Sequence, residues 1–352
     1  MRKVIGTTAG ALLVWVALPF MLAIHSDLGA FLHRELAYRV ISNRLVTGLA
    51  TDEEKTRAIM AFFYLNEAQF NDWALAHDSN LLNDLVRNIG WSDQKANGMT
   101  HLLDKQGIAA RMVMFPCHSF AEVIIDGQPR VFDPEYNGNF VTKNDPNSIA
   151  TLQDVVQHSN ELTTGYGQSF EDYPKKEVLT CGKPQRWNYL HETRSFAKKV
   201  LIQLMNVHFA FGGNHFAWMF QDWYLAVSPP VLKDTMEQEH FRARCLNLLG
   251  RTDKAIEIYG ENKSPRSQYF LFKALLESKR FAEAQAVYQR NTNSLDAINP
   301  KKDAEYVLLF ANYIAKLQAM SNADISAAFH LSEEELLAFN TVMRSLQAAP
   351  KN

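Results

Sequence analysis

Apolar positions along the chain fall into three patterns, and each pattern predicts a different kind of element. The first is an unbroken run. Val4–Ile24 carries no charge and follows Met1-Arg2-Lys3. As a helix rising ~1.5 Å per residue, about 21 such residues reach roughly 31 Å, near the hydrocarbon thickness of a bilayer. Arg2 and Lys3 favour a cytoplasmic start, an asymmetry weakened by Arg34, Arg39 and Arg44 further along. The run ends Met21-Leu22-Ala23-Ile24-His25, without a clean small-x-small cleavage site. Residues 1–24 therefore read as an uncleaved transmembrane anchor, with a cleaved signal segment and a buried helix as rival readings.

The second pattern is helical. Leu28, Phe31, Leu32, Leu36 and Val40 recur at helical spacing and predict a juxtamembrane helix over 25–45. Thr51-Asp52-Glu53-Glu54 fits a capping box ahead of Ala58, Ile59, Phe62 and Phe63. Ala96, Met99, Leu102 and Leu103 give Ser92–Gln106 one apolar face, and Gly107 stops it. The third pattern is strand-like: Arg111–Phe115 and Ser119–Ile125, then the turn signal Asp126-Gly127, then Arg130–Phe132. A helix feeding an antiparallel hairpin predicts an α+β domain over 46–160. Gly165, Gly167, Pro174, Gly182 and Pro184 mark 161–193 as a linker or long loop.

From Arg194 onward the pattern is helical again, and 194–350 reads as an all-α domain. Leu249–Tyr259 and Ser278–Tyr288 look alike, with Ala255 matching Ala284 and Tyr259 matching Tyr288. The offset is 29 residues, and the stretches resemble degenerate tetratricopeptide repeats, which stack helical hairpins and present binding surfaces.

Composition adds exclusions. With 352 residues, 47% apolar and 21% charged, the chain has an ordinary globular mix. Lys plus Arg number 36 and Asp plus Glu 38, so no domain-scale basic field exists to bind nucleic acid. Cys117, Cys181 and Cys245 lie far apart, which excludes a disulfide-rich fold and a Cys-only zinc site. If the bulk of the chain is extracytoplasmic, at most one bridge forms among them, and the sequence does not choose the pair.

The chemistry concentrates in one stretch. Gly90-Trp91-Ser92-Asp93-Gln94 is followed by Gly107-Ile108-Ala109-Ala110-Arg111, by His118, by Asp126-Gly127 and by Phe132-Asp133-Pro134. Ser92 precedes Gly107 by fifteen residues, and Asp133 follows His118 by fifteen. This order resembles the core of the transglutaminase-like superfamily of papain-type thiol enzymes, strongly over 45–75 residues and loosely over 110. The resemblance implies a nucleophile opening a helix, a His on a facing strand and an Asp on the next. Such an arrangement is sound chemistry: the helix terminus stabilises an anion, the imidazole takes a proton, and the carboxylate orients the imidazole. A hairpin turning near Asp126-Gly127 predicts that His118 and Asp133 are cross-strand neighbours.

The nucleophile position holds Ser92 where the family has Cys. A helix terminus alone does not ionise a hydroxyl, so the thiol chemistry is not carried over. Ser92 reads as an N-cap, as a nucleophile or as a ligand-binding hydroxyl. His118 and Asp133 read as a functional pair or a structural one. Trp91 is a candidate wall of a substrate groove. Glu122 shares the face of His118 by strand alternation and is a second wall candidate, with Arg111 as a partner. Cys117 faces the other way and reads as a small buried residue. His208 and His215 are seven apart without an obvious third ligand, so aromatic packing is expected there rather than a metal. Gly212-Gly213 lacks the Lys and Ser/Thr of a phosphate loop, and no dinucleotide fingerprint occurs; no cofactor is expected.

The resulting expectation is an inner-membrane, single-pass protein with its bulk in the periplasm or outside the cell. It is expected to combine a degenerate transglutaminase-like domain with helices that bind a protein or polymer partner. The resemblance implies work on cell-envelope material or exopolysaccharide. The alternative is an active hydrolase or acyltransferase using Ser92, His118 and Asp133. A third reading makes the α+β domain a spacer.

Overall fold

Asp126 and Gly127 both take left-handed backbone, φ 51° and 76°, and so form the tight turn that best matches the twist of two antiparallel strands. The computed structural model describes residues 14–66, 81–88, 90–116, 118–142, 145–157, 162–164, 182–187, 196–228, 238–293 and 303–347. The turn joins β2 (His118–Ile125) to β3 (Gln128–Asp133). Around them lie β1 (Ala110–Phe115), β4 (Gly138–Thr142), β5 (Asp145–Ile149), β6 (Leu162–Thr164) and β7 (Gln185–Trp187). The sheet runs β5-β4-β3-β2-β1-β7, with β6 also paired to β4, and every pairing is antiparallel. Two of these strands come from the turn-rich stretch expected to be a linker. Most of the rest of that stretch lies outside the described residues, as do Cys117 and Cys181.

Helices precede the sheet in the chain. They are α1 (Val14–Leu22), α2 (Ser26–Leu45), α3 (Asp52–Leu65), α4 (Leu81–Arg87) and α5 (Ser92–Asp104). The capping box at Thr51 is present: its hydroxyl accepts from Glu54 N–H at 3.1 Å, and Glu54 Oε2 accepts from Thr51 N–H at 2.9 Å. No single described helix is long and apolar enough to cross a membrane. The expected span lies partly outside the described residues, and its described end, α1, bends by 110° into α2. The bend needs a glycine, because a Cβ on Gly29 would meet the Ala23 carbonyl oxygen at 2.4 Å. The helix expected over 25–45 is present as α2, and it is enclosed. Leu32, Leu36, Ala37, Tyr38, Val40 and Ile41 are buried, and the helix packs on α3, α5 and the long helix α7 (Phe196–Val227).

The two faces of the sheet are covered differently. Ala121, Val123 and Ile125 of β2 join the main core with Met99, Leu102 and Leu103 of α5. Phe120, Val131 and Phe140 face the other way. With Val113 and Phe115 they form a second core against α6 (Leu152–Gln157), which contributes Leu152 and Val155. Alternation along a strand enforces this split. Each fully buried phenylalanine contributes about 1.5–3 kcal/mol to holding it.

The C-terminal helices are α8 (Gln238–Leu248), α9 (Thr252–Glu261), α10 (Pro265–Glu277), α11 (Phe281–Asn293), α12 (Asp303–Ala319), α13 (Asn322–Phe329) and α14 (Glu333–Gln347). Consecutive members from α8 to α11 pack on one another. The 29-residue offset recurs in their backbone. Gly250 and Lys279 both adopt positive φ, 82° and 63°. Beyond each, Arg251 N–H bonds Leu246 O at 2.8 Å and Arg280 N–H bonds Leu275 O at 2.9 Å. Both are Schellman closures, and both α9 and α11 then bury an alanine, Ala255 and Ala284. The main core is continuous from Ala23 to Leu346, so the α+β part and the C-terminal helices share it.

The glycine of this pair is more constrained than the lysine. A Cβ on Gly250 would come within 3.0 Å of Arg44 Cδ and Nε. Arg44 spans α2 to the end of α8, donating to Asn247 O at 2.8 Å and Leu248 O at 2.6 Å. Gly250→Ala is expected to cost about 1–2 kcal/mol from backbone strain, read as a lower urea midpoint at unchanged slope.

Candidate functional site

The N-terminus of α5 does not use Ser92 as its cap. Trp91 holds that place: its carbonyl accepts from Lys95 N–H at 3.0 Å, and its N–H donates to Gln94 Oε1 at 2.9 Å. Ser92 is the first helical residue and is half-buried; Trp91 beside it is exposed. A small void of about 20 Å³ beside the tip is lined by Gly90, Gln94, Lys95 and Gly98, with Tyr38 and Phe63 behind.

His118 and Asp133 do meet. His118 Nε2 lies 2.9 Å from Asp133 Oδ2, and both side chains are fully buried. They are not directly opposite. The register pairs Ala121 with Phe132 and Ile125 with Gln128, which continued outward sets Asp133 opposite Phe120 and Glu135 level with His118. Asp133 reaches His118 along the diagonal, a contact that long side chains on one face can make. Glu135, in the loop between β3 and β4, places Oε2 3.0 Å from His118 Nδ1. Asp133 also fixes that loop, since its Oδ1 accepts from Glu135 N–H at 2.9 Å. The imidazole is therefore flanked by a carboxylate on each nitrogen, with Phe120 edge-on at 4.8 Å and Tyr136 at 6.0 Å.

The electrostatics follow from this. Burial pulls the His118 pKa down, but Asp133 and then Glu135 outweigh it and raise it to about 9. At neutral pH the ring is an imidazolium, with no lone pair to take a proton. Among the described residues no hydrogen bond joins Ser92 to His118. Strand alternation explains the separation: His118 shares the face of Phe120, in the core against α6, whereas α5 covers the other face. The hairpin thus brings two of the three expected residues together and leaves the hydroxyl apart.

Glu122 is fully buried in an ion-pair cluster. Arg111 binds its Oε2, and Arg186 on β7 donates to Oε1 at 3.1 Å and Oε2 at 3.2 Å. The expected Arg111 partnership is present, and Arg186 joins it from the stretch expected to be a linker. His208 packs as expected for an aromatic cluster. It stacks on Trp15 at 3.8 Å, its Nδ1 2.8 Å from Leu204 O and its Nε2 3.0 Å from Trp15 O. Cys245 is a buried thiol pushed up to about 12 by burial.

Sequence reasoning missed Glu135, although a signal was available. A two-residue turn at Asp126-Gly127 makes Ile125 and Gln128 partners, and counting back places residue 135 level with His118. A second feature carried no local signal. A cavity of about 100 Å³ is lined by Arg44, Asn66, Glu277, Tyr313 and His330 among apolar residues of α2, α3, α8 and α13. Its polar groups sit beside buried Arg244 and Lys273, both of which donate to Asn66 Oδ1. Comparison with protein-family models, curated proteins and solved structures finds no match for this chain.

Proposed function

We propose that the chain is a catalytically degenerate, transglutaminase-like protein of the cell envelope. In this reading it is anchored through residues 4–24 and binds a peptide or polymer, or helps to assemble an envelope complex such as one handling exopolysaccharide. Support comes from the order of elements: a helix carrying residue 92 at its tip, then an antiparallel hairpin carrying a His–Asp pair. The helical hairpins with their matched closures suit a partner-binding module. One observation carries the degenerate half of the reading: His118 is held between Asp133 and Glu135. A general base needs an unprotonated nitrogen open to the nucleophile, and this ring offers none near neutral pH.

The test restores the sulfur. Ser92→Cys is expected to yield a thiol that alkylates at the rate of an ordinary accessible cysteine, with no amide hydrolysis. Ser92→Ala is expected to change stability by less than the ~1 kcal/mol of a lost cap, since Trp91 holds the cap position. An amidase or acyl-transfer activity in the native chain that Ser92→Ala abolishes would overturn the proposal in favour of the active Ser92-His118-Asp133 reading.

A further inference from the structure

Between Lys199 and Asp222 the helix α7 carries no Asp, Glu, Lys or Arg for 22 residues. Much of that length is not buried. Phe196 and Phe211 are 83% and 84% exposed, and Val200 and Val207 are exposed between them. At 100° per residue these four side chains fall within an arc of about 60°, a single apolar stripe. At Gly213, φ 53° and ψ −142°, the helix is broken, and past the break Met219, Trp223 and Val227 continue as a second exposed stripe at four-residue spacing. A free-standing soluble helix does not leave so much apolar surface in one line.

The neighbouring segment points to what covers it. The end of the charge-free N-terminal run, α1, lies along α7. Trp15 stacks on His208, Phe20 packs against Phe216 and Phe220, and Trp223 Nε1 donates to Phe20 O at 3.0 Å. Val14, Val16, Met21 and Ile24 on this segment are exposed as well. Lys199 is exposed at the start of α7 and flanks the stripe, where its cation would meet anionic headgroups, whereas Lys198 turns inward over the Phe31 ring at 5.4 Å. Trp223, which is exposed, supplies an aromatic ring of the kind that settles at a membrane–water boundary.

We propose that α7 lies in the interfacial layer of a bilayer, with Phe196, Val200, Val207 and Phe211 in the acyl region and Lys199 at the headgroups. The proposal rests on the membrane-attached reading and extends it: α1 packs along α7, so both lie in the interfacial layer and together fix how the molecule sits on the surface. Buried apolar area and headgroup attraction together set the strength of such an attachment.

The experiment places p-benzoylphenylalanine at Phe211, and separately at Phe196 and at exposed Leu337 on α14, in the full chain reconstituted into phosphatidylethanolamine–phosphatidylglycerol vesicles. The floated protein is irradiated and its adducts weighed. The expected result is a lipid adduct at 211 and 196, severalfold above that at 337 and reduced severalfold by Lys199→Glu. A chain that floats with the vesicles but gives no lipid adduct, or gives chain-to-chain adducts at 211, overturns the α7 proposal and leaves the anchor standing. A chain that does not float overturns both.

Discussion

Replacing Asp133 with Asn is expected to flatten the alkaline side of the stability profile. In the native chain His118 is raised to about 9 by Asp133 and Glu135 against the opposing effect of burial, whereas an unfolded histidine titrates near 6.5. The folded state therefore holds a proton that the unfolded state releases as pH rises. The stabilisation is fully present below about 6.5 and is lost progressively until the folded group titrates near 9. A gap of that size corresponds to about 3 kcal/mol for these fully buried groups. Urea unfolding of the native chain at pH 6 and pH 9.5 should differ by that order, with the lower stability at pH 9.5. In Asp133→Asn the difference should shrink to about 1 kcal/mol or less, because only Glu135 remains to hold the proton. Parallel profiles for the two proteins would show that the pair is not an imidazolium and would remove the objection to His118 as a base.

The other large effect is expected at Asn66, where the α+β part meets the C-terminal helices. Its Oδ1 accepts from Arg244, a fully buried guanidinium, and from Lys273 Nζ at 3.4 Å; Lys273 also bonds Leu65 O at 2.9 Å. Burial, with Arg244 and Lys316 nearby, pushes Lys273 well below the usual lysine range, opposed by Glu277. Asn66→Ala strips Arg244 of that acceptor and should cost on the order of 3 kcal/mol. Lys273→Met keeps the volume and removes a desolvated amine, so it is expected to be neutral or stabilising, and to recover part of the loss in the double variant. A Tm for Asn66→Ala equal to that of the native chain would mean that this junction does not depend on the amide.

What could be read from the chain was what is local. The Thr51–Glu54 box, the Asp126-Gly127 turn, the paired positions Ala255 and Ala284, and the pairing of Arg111 with Glu122 each follow from a few adjacent residues and a known period. Readings that required a third dimension fared differently. The pattern of α2 says amphipathic helix, but only packing reveals that it is enclosed on several sides. Alternation along β2 puts Glu122 on the face of His118, but which face α5 covers is set by packing, so the spacing alone does not place Ser92 relative to the imidazole. The cavity at Arg44, Asn66 and Glu277 draws on residues more than two hundred positions apart, and no window along the sequence contains them.

The placement of α2 has a mechanical consequence. Ser42 Oγ donates to Leu102 O at 2.7 Å, Lys105 Nζ grips Glu35 Oε2 at 2.6 Å, and Arg44 clasps the last carbonyls of α8. A load applied at the N-terminal end therefore enters the protein along its central spindle rather than through a slack tether. Pulling there tugs the sheet-bearing half and the helical half at once, because α2 is bonded to both.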